Sequence, residues 1–87
     1  MNNLLSFYGE ECPHCLKMHP LLDKLENEAN VKVERIEVWH NDENAKKLEG
    51  LPGYADCGGV PFFFNSKTKK SICGEATYDE LKAWALE

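Results

Sequence analysis

The chain has no apolar run approaching the roughly 20 residues that span a bilayer, and it has little positive charge. Its 87 residues carry 10 Lys and Arg against 15 Asp and Glu, a formal net charge of −5. Neutralising nucleic-acid phosphates takes clustered cations. Only Lys67, Lys69 and Lys70 cluster here, around an expected hairpin turn, where they read as solubilising charges on a sheet edge. Neither nucleic acid nor a membrane is therefore an expected partner. The N-terminus shows no basic region leading into a long apolar core and a small-residue cleavage site, so the expected location is cytoplasmic. Internal repeats and low-complexity segments are also missing. A chain of 87 residues builds one core and no second module, which gives a single domain over residues 1–87.

What the chain does carry is a pair of thiols at close spacing, in Cys12-Pro13-His14-Cys15. The apolar run Leu4-Leu5-Ser6-Phe7-Tyr8 before it reads as a buried strand, and Gly9 to Glu11 as a tight connection. Pro13 suits the first position of a helix, where its missing N–H costs nothing. Cys12 is then expected at the helix N-terminus, where unpaired N–H groups and the helix dipole favour a thiolate. Cys15, one turn on, shares its face and can close a disulfide ring. In a reducing compartment such thiols are catalytic or metal-binding rather than structural. Zinc knuckles use the same spacing, so a metal-binding or metal-delivery domain, recruiting His14 or Cys57, stands as the alternative. A second CxxC knuckle is lacking, although Cys57 and Cys73 are present. Their pairing with each other stays open, as does a resolving or regulatory role for Cys57.

Beyond the motif, Met18, Leu21, Leu22, Leu25 and Ala29 form a helical stripe from Pro13 to about Asn30, with a kink expected at Pro20. Val31 to Trp39 reads as a strand with Val33, Ile36 and Val38 inward. The three-residue step from Val33 to Ile36 predicts a bulge or a late start near Glu34. Asn41 caps a short helix to about Glu49, with Ala45 and Leu48 inward, and Leu51 to Gly59 reads as loop. Val60 to Phe64 is apolar on both alternating faces, as a central strand should be. Asn65 to Lys69 turns, and Lys70 to Cys73 returns as an edge strand. Thr77 and Glu80 make a capping box for a last helix burying Leu81, Trp84 and Ala85. The expected architecture is α/β, in the order βαβαββα, with a four-stranded mixed sheet covered by helices on both faces. Its first two strands are parallel through a crossover, and its last two form an antiparallel hairpin on the other side of the first strand.

Those features together resemble the thioredoxin superfamily in its smallest, glutaredoxin-like form, over essentially the whole chain. The resemblance rests on Cys12-Pro13-His14-Cys15 after an aromatic strand end, Pro20 followed by Leu21-Leu22-Asp23-Lys24-Leu25, and Val60-Pro61 opening the third strand. It implies that Pro61 is the family's cis-proline, packed near the thiols, and that Val60 and Pro61 offer backbone to a substrate. It also implies a thiol–disulfide oxidoreductase acting on protein thiols and disulfides with a separate reductase or oxidase, without a cofactor or resident metal. Pro-His between the cysteines is similar to the oxidising branch, and His14 is expected to favour the Cys12 thiolate by donation or charge. A free thiol near pKa 8.5 is a few per cent ionised at pH 7, and in such motifs the range falls to roughly 3.5–7.5.

Two departures from the family pattern matter. Ser6 stands where the family often buries an acid, six positions before Cys12, so proton transfer from Cys15 has to use water or another group. Glu10 and Glu11 stand where glutaredoxins commonly place a basic residue for glutathione. Their charge argues against glutathione as partner and opposes thiolate formation. Tyr8 is a candidate for the substrate groove, with Pro13, Val60 and Pro61. His19 reads as a solvated side chain, His40 as a loop residue, Asp42 and Glu43 as first-turn dipole partners, and Trp39 and Trp84 as core or core-edge aromatics. Nothing in the pattern demands more than a monomer.

Overall fold

The computed structural model describes residues 3–86. In chain order it contains β1 (Leu4–Tyr8), α1 (Pro13–Ala29), β2 (Val33–Glu37), α2 (Asp42–Glu49), α3 (Tyr54–Cys57), β3 (Phe62–Asn65), β4 (Ser71–Cys73) and α4 (Tyr78–Leu86). The strands lie in the order β2-β1-β3-β4. β1 runs parallel to β2 and antiparallel to β3, and β3 pairs antiparallel with β4. This is the expected mixed sheet, with the motif leaving the end of an inner strand.

Side chains alternate across a strand, and here each face has a helix to meet. Leu4, Val33 and Phe63 pack with Met18, Leu22 and Leu25 of α1 and with Leu81 and Trp84 of α4. Leu5, Phe7, Ile36, Phe62 and Phe64 turn the other way, onto Leu48 of α2, with Ala45 and Tyr54 against them. That corrects the reading of β2. Its register with β1 runs unbroken from Leu4↔Val33 to Tyr8↔Glu37, without a bulge, and the strand begins at Val33 itself. Val33 and Ile36 are both inward because the sheet has two interiors, one on each face.

The helix ends follow local chemistry. Asn41 accepts the Asn44 N–H at 3.0 Å to start α2. At α4 the Thr77 hydroxyl accepts the Glu80 N–H at 3.1 Å while the Glu80 carboxylate accepts the Thr77 N–H at 2.9 Å, a reciprocal box. α1 runs unbroken across Pro20. The stretch read as loop holds the short α3, bounded by Gly53 at φ 88° and Gly58 at φ 71°, both in the region that favours glycine. Cys57, at its end, is disulfide-bonded to Cys73 of β4, with Cα atoms 5.6 Å apart. Trp84 is in the core, whereas Trp39 is 51% exposed and lies flat across Gly9, where a Cβ would fall 2.2 Å from its ring. Trp39 is thus a surface aromatic rather than a core one, and Gly9 is the residue that lets it settle on the backbone.

Candidate active site

The site begins at the junction of β1 and α1. Cys12 is the N-cap of α1, in extended conformation, and Pro13 opens the helix. The Cys12 carbonyl accepts the Leu16 N–H at 3.0 Å, and its own N–H donates to Gly9 at 3.0 Å. The Cys12 sulfur takes the place of the usual capping oxygen and accepts the Cys15 N–H at 3.2 Å. Spacing, proline and cap therefore fix one reactive sulfur at the positive end of a 17-residue helix.

Cys15 lies beneath it, 1% exposed. Burial pushes its thiol up to about 12, helped by its hydrogen bond with Cys12 and the nearby Cys12 charge, while the Gly9 backbone pulls the other way. The inner sulfur is thus held as a protonated thiol at neutral pH. Ser6 is buried in β1, level with Arg35 of β2 and Phe63 of β3, and supplies no carboxylate under the pair.

The third wall comes from the segment before β3. The Val60–Pro61 bond is cis, and the Cys12 thiol faces the Val60 carbonyl at 3.9 Å. Pro61 is buried, and its carbonyl accepts the Gly74 N–H at 2.8 Å. Cys12, Cys15, Pro13, Val60 and Pro61 are therefore brought together.

His14 and Tyr8 sit differently. The His14 Nδ1 is hydrogen-bonded to the Glu75 carboxylate, on the connection that follows β4. That contact holds the Glu75 carboxyl below its usual range. Among the described residues, the hydrogen-bond partners of the Cys12 sulfur are Cys15 and Val60, not His14. Tyr8 meets His19 edge to face, with ring centres 5.2 Å apart. His19 is not simply solvated: its Nδ1 accepts from Arg35 at 3.3 Å, and burial with the Arg35 charge lowers its pKa. Arg35 also bonds Asp23 at 2.6 Å and Glu26 at 3.1 Å, tying β2 to α1.

No local pattern points to Glu75, which is 61 residues from His14, nor to the acidic rim around Glu37. Burial acts to raise the Glu37 carboxyl, but backbone N–H groups of His40, Glu10 and Trp39 outweigh it and bring the pKa below the ordinary value. His40, read as a loop residue, bonds Glu11 at 2.7 Å, and this pairing raises its pKa. Glu10, Glu11 and His40 have ligand atoms near one another, but the CxxC sulfurs are not among them. Cys57 is tied to Cys73 and His14 to Glu75, so the metal-delivery reading loses the extra ligands it needed.

One sulfur at a helix N-terminus, a second buried below it and a carbonyl strap alongside make a site for dithiol–disulfide exchange, which is the chemistry of thioredoxin-fold oxidoreductase domains. The chain belongs to the thioredoxin family, whose model matches residues 1–87. It is 34% identical to a protein disulfide-isomerase of Triticum aestivum and 33% identical to one of Hordeum vulgare, each match covering 92% of this chain. The chain spans 15% of the length of each of those isomerases. Its fold is similar to that of a glutaredoxin from Archaeoglobus fulgidus, with a TM-score of 0.73 at 21% identity, covering 100% of this chain and 89% of that one.

Proposed function

We propose that this domain exchanges the Cys12–Cys15 dithiol and disulfide with thiols and disulfides of other proteins, partnered by a separate reductase or oxidase. The carrying observation is the stacking of the two sulfurs, with Cys12 as helix cap and Cys15 buried as a thiol pushed up to about 12. In the reducing direction the Cys12 thiolate attacks a substrate disulfide, forming one S–S bond and releasing a substrate thiolate that takes a proton. Cys15 then loses its proton and attacks the Cys12 sulfur. The second substrate thiolate leaves, and the pair has given up two electrons.

Val60 supports the substrate side of this reading, because its carbonyl already faces the Cys12 sulfur. Glutathione suits the rim poorly. Glu10 and Glu11 flank the motif and Glu75 occupies His14, so the anionic tripeptide would meet carboxylates. A monomer in the cytoplasm, where dithiol reductants are at hand, suits this cycle.

Insulin reduction by dithiothreitol tests the assignment. Cys12→Ser should abolish catalysis, and Cys15→Ser should accumulate a mixed disulfide through Cys12, visible by mass spectrometry. Exchange that survives Cys12→Ser would end this reading.

A further inference from the structure

Among the described cysteines, those of the CxxC pair are hidden and those of the disulfide are the more accessible. Cys12 is 3% exposed and Cys15 1%. Cys73 is exposed and Cys57 half-buried. A nucleophile that must reach a protein disulfide is thus covered, and part of its cover is the Val60 carbonyl.

The strap that carries Val60 is loosely built. It starts at Gly58 and Gly59, where an added Cβ would meet nothing within 4 Å. Before it stands α3, four residues long, without a side-chain cap and with no residue fully buried. Its Tyr54 leans on Phe62, with ring centres 5.6 Å apart. The covalent tie is Cys57–Cys73, which fixes the upstream end of the strap to β4. The residues after Cys73 touch the site again, since Gly74 donates to the Pro61 carbonyl at 2.8 Å and Glu75 holds His14. One bond therefore clamps both flanks of the site.

We propose that Cys57–Cys73 is a second thiol–disulfide exchange site, which takes a dithiol reductant and, on opening, releases the strap from Cys12. The consequence for turnover rests on the exchange function above. A thiolate of the reductant attacks the sulfur of Cys73, the more exposed residue of the two, forming an S–S bond to it. The Cys57–Cys73 bond breaks, and Cys57 leaves as a thiolate and takes a proton. The reductant's second thiol then closes its own disulfide, and Cys73 departs as a thiol. The reductant is oxidised by two electrons, and the clamp becomes two free thiols.

Two measurements test this without using turnover. In the Cys12→Ser, Cys15→Ser chain, dithiothreitol should open Cys57–Cys73 reversibly under native conditions, read by alkylation and mass. A bond that opens only in denaturant overturns the proposal. In the Cys15→Ser chain, iodoacetamide should label Cys12 several-fold faster once Cys57 and Cys73 are also replaced by serine. Reading the rate across pH separates access from ionisation, and equal rates at every pH overturn the proposal. Should the serine pair unfold, hydrogen exchange at the Gly59 and Val60 amides of the Cys12→Ser, Cys15→Ser chain, before and after dithiothreitol, decides the matter. Faster exchange after reduction supports release, and unchanged exchange overturns it. Because neither arm reads catalysis, a chain inert toward insulin that still shows both responses would remove the exchange function and leave the clamp.

Discussion

The two faces of the sheet are covered unequally. On one, α1 contributes Cys15, Met18, Leu22 and Leu25 as buried residues and α4 contributes Leu81 and Trp84. On the other, α2 buries Leu48 and α3 buries none. The thick face carries the helix that caps itself with Cys12, while the thin face carries α3 and the approach to the Val60 strap. A nucleophile gains from fixed geometry, and a substrate needs a wall that gives way. The unequal cover supplies both, and the Cys57–Cys73 bond stands on the face where the helices bury least.

Large-to-small changes on the two faces are the most forceful way to break this comparison. Leu22 of α1 is fully buried against the sheet, and Leu22→Ala should cost about 2–5 kcal/mol, a large part of the stability of a domain this size. Tyr54 on α3 is half-buried, and Tyr54→Ala should cost about 1 kcal/mol. Urea denaturation with the Cys57–Cys73 bond intact measures both. Equal losses would show that the thin face holds the fold as firmly as the thick one.

A smaller effect is expected at the start of α4. Thr77→Ala removes the hydroxyl that accepts the Glu80 N–H, and the loss of such a cap costs about 1 kcal/mol. Since Glu75 and its bond to His14 lie just before this cap, the same variant also shows whether the site feels the helix end. An unchanged denaturation midpoint would mean that packing of Leu81 and Trp84 alone holds α4.

The difference between the faces also separates what was legible in the sequence from what was not. Cys12 and Cys15 could be placed because their spacing, Pro13 and the preceding strand are local, and the turn of a helix converts spacing into geometry. The capping box at Thr77 and Glu80 was legible for the same reason. β2 is harder to place because strict alternation presumes a single interior, and Val33 and Ile36 serve two. The turn at Tyr54 lies between glycines and lacks an apolar period long enough to register. Cys57 with Cys73, and His14 with Glu75, are joined across 16 and 61 residues. Such pairings are set by how β3 and β4 fold back, and no local pattern announces them.

The smallest expected effect is a divergence of two histidines, one on each side of this contrast. His19 stands on the thick side between Tyr8 and Arg35, and burial with the Arg35 charge lowers its pKa from 6.5. The unfolded chain then binds a proton more readily than the folded one. Its contribution to stability is present above pH 6.5 and is lost as pH falls toward the folded value. His40 lies exposed on the rim, where the Glu11 carboxylate raises its pKa above 6.5. Its contribution is complete below 6.5 and fades as pH rises through the folded value. Proton NMR titration should therefore find His19 titrating below His40. Glu11→Gln should bring His40 back toward 6.5 and leave His19 in place, because the two sit in separate hydrogen-bond groups. A His19 that titrates with or above His40 would mean that water reaches the α1 side as freely as the rim, and the contrast between a closed face and an open one would fail at the site itself.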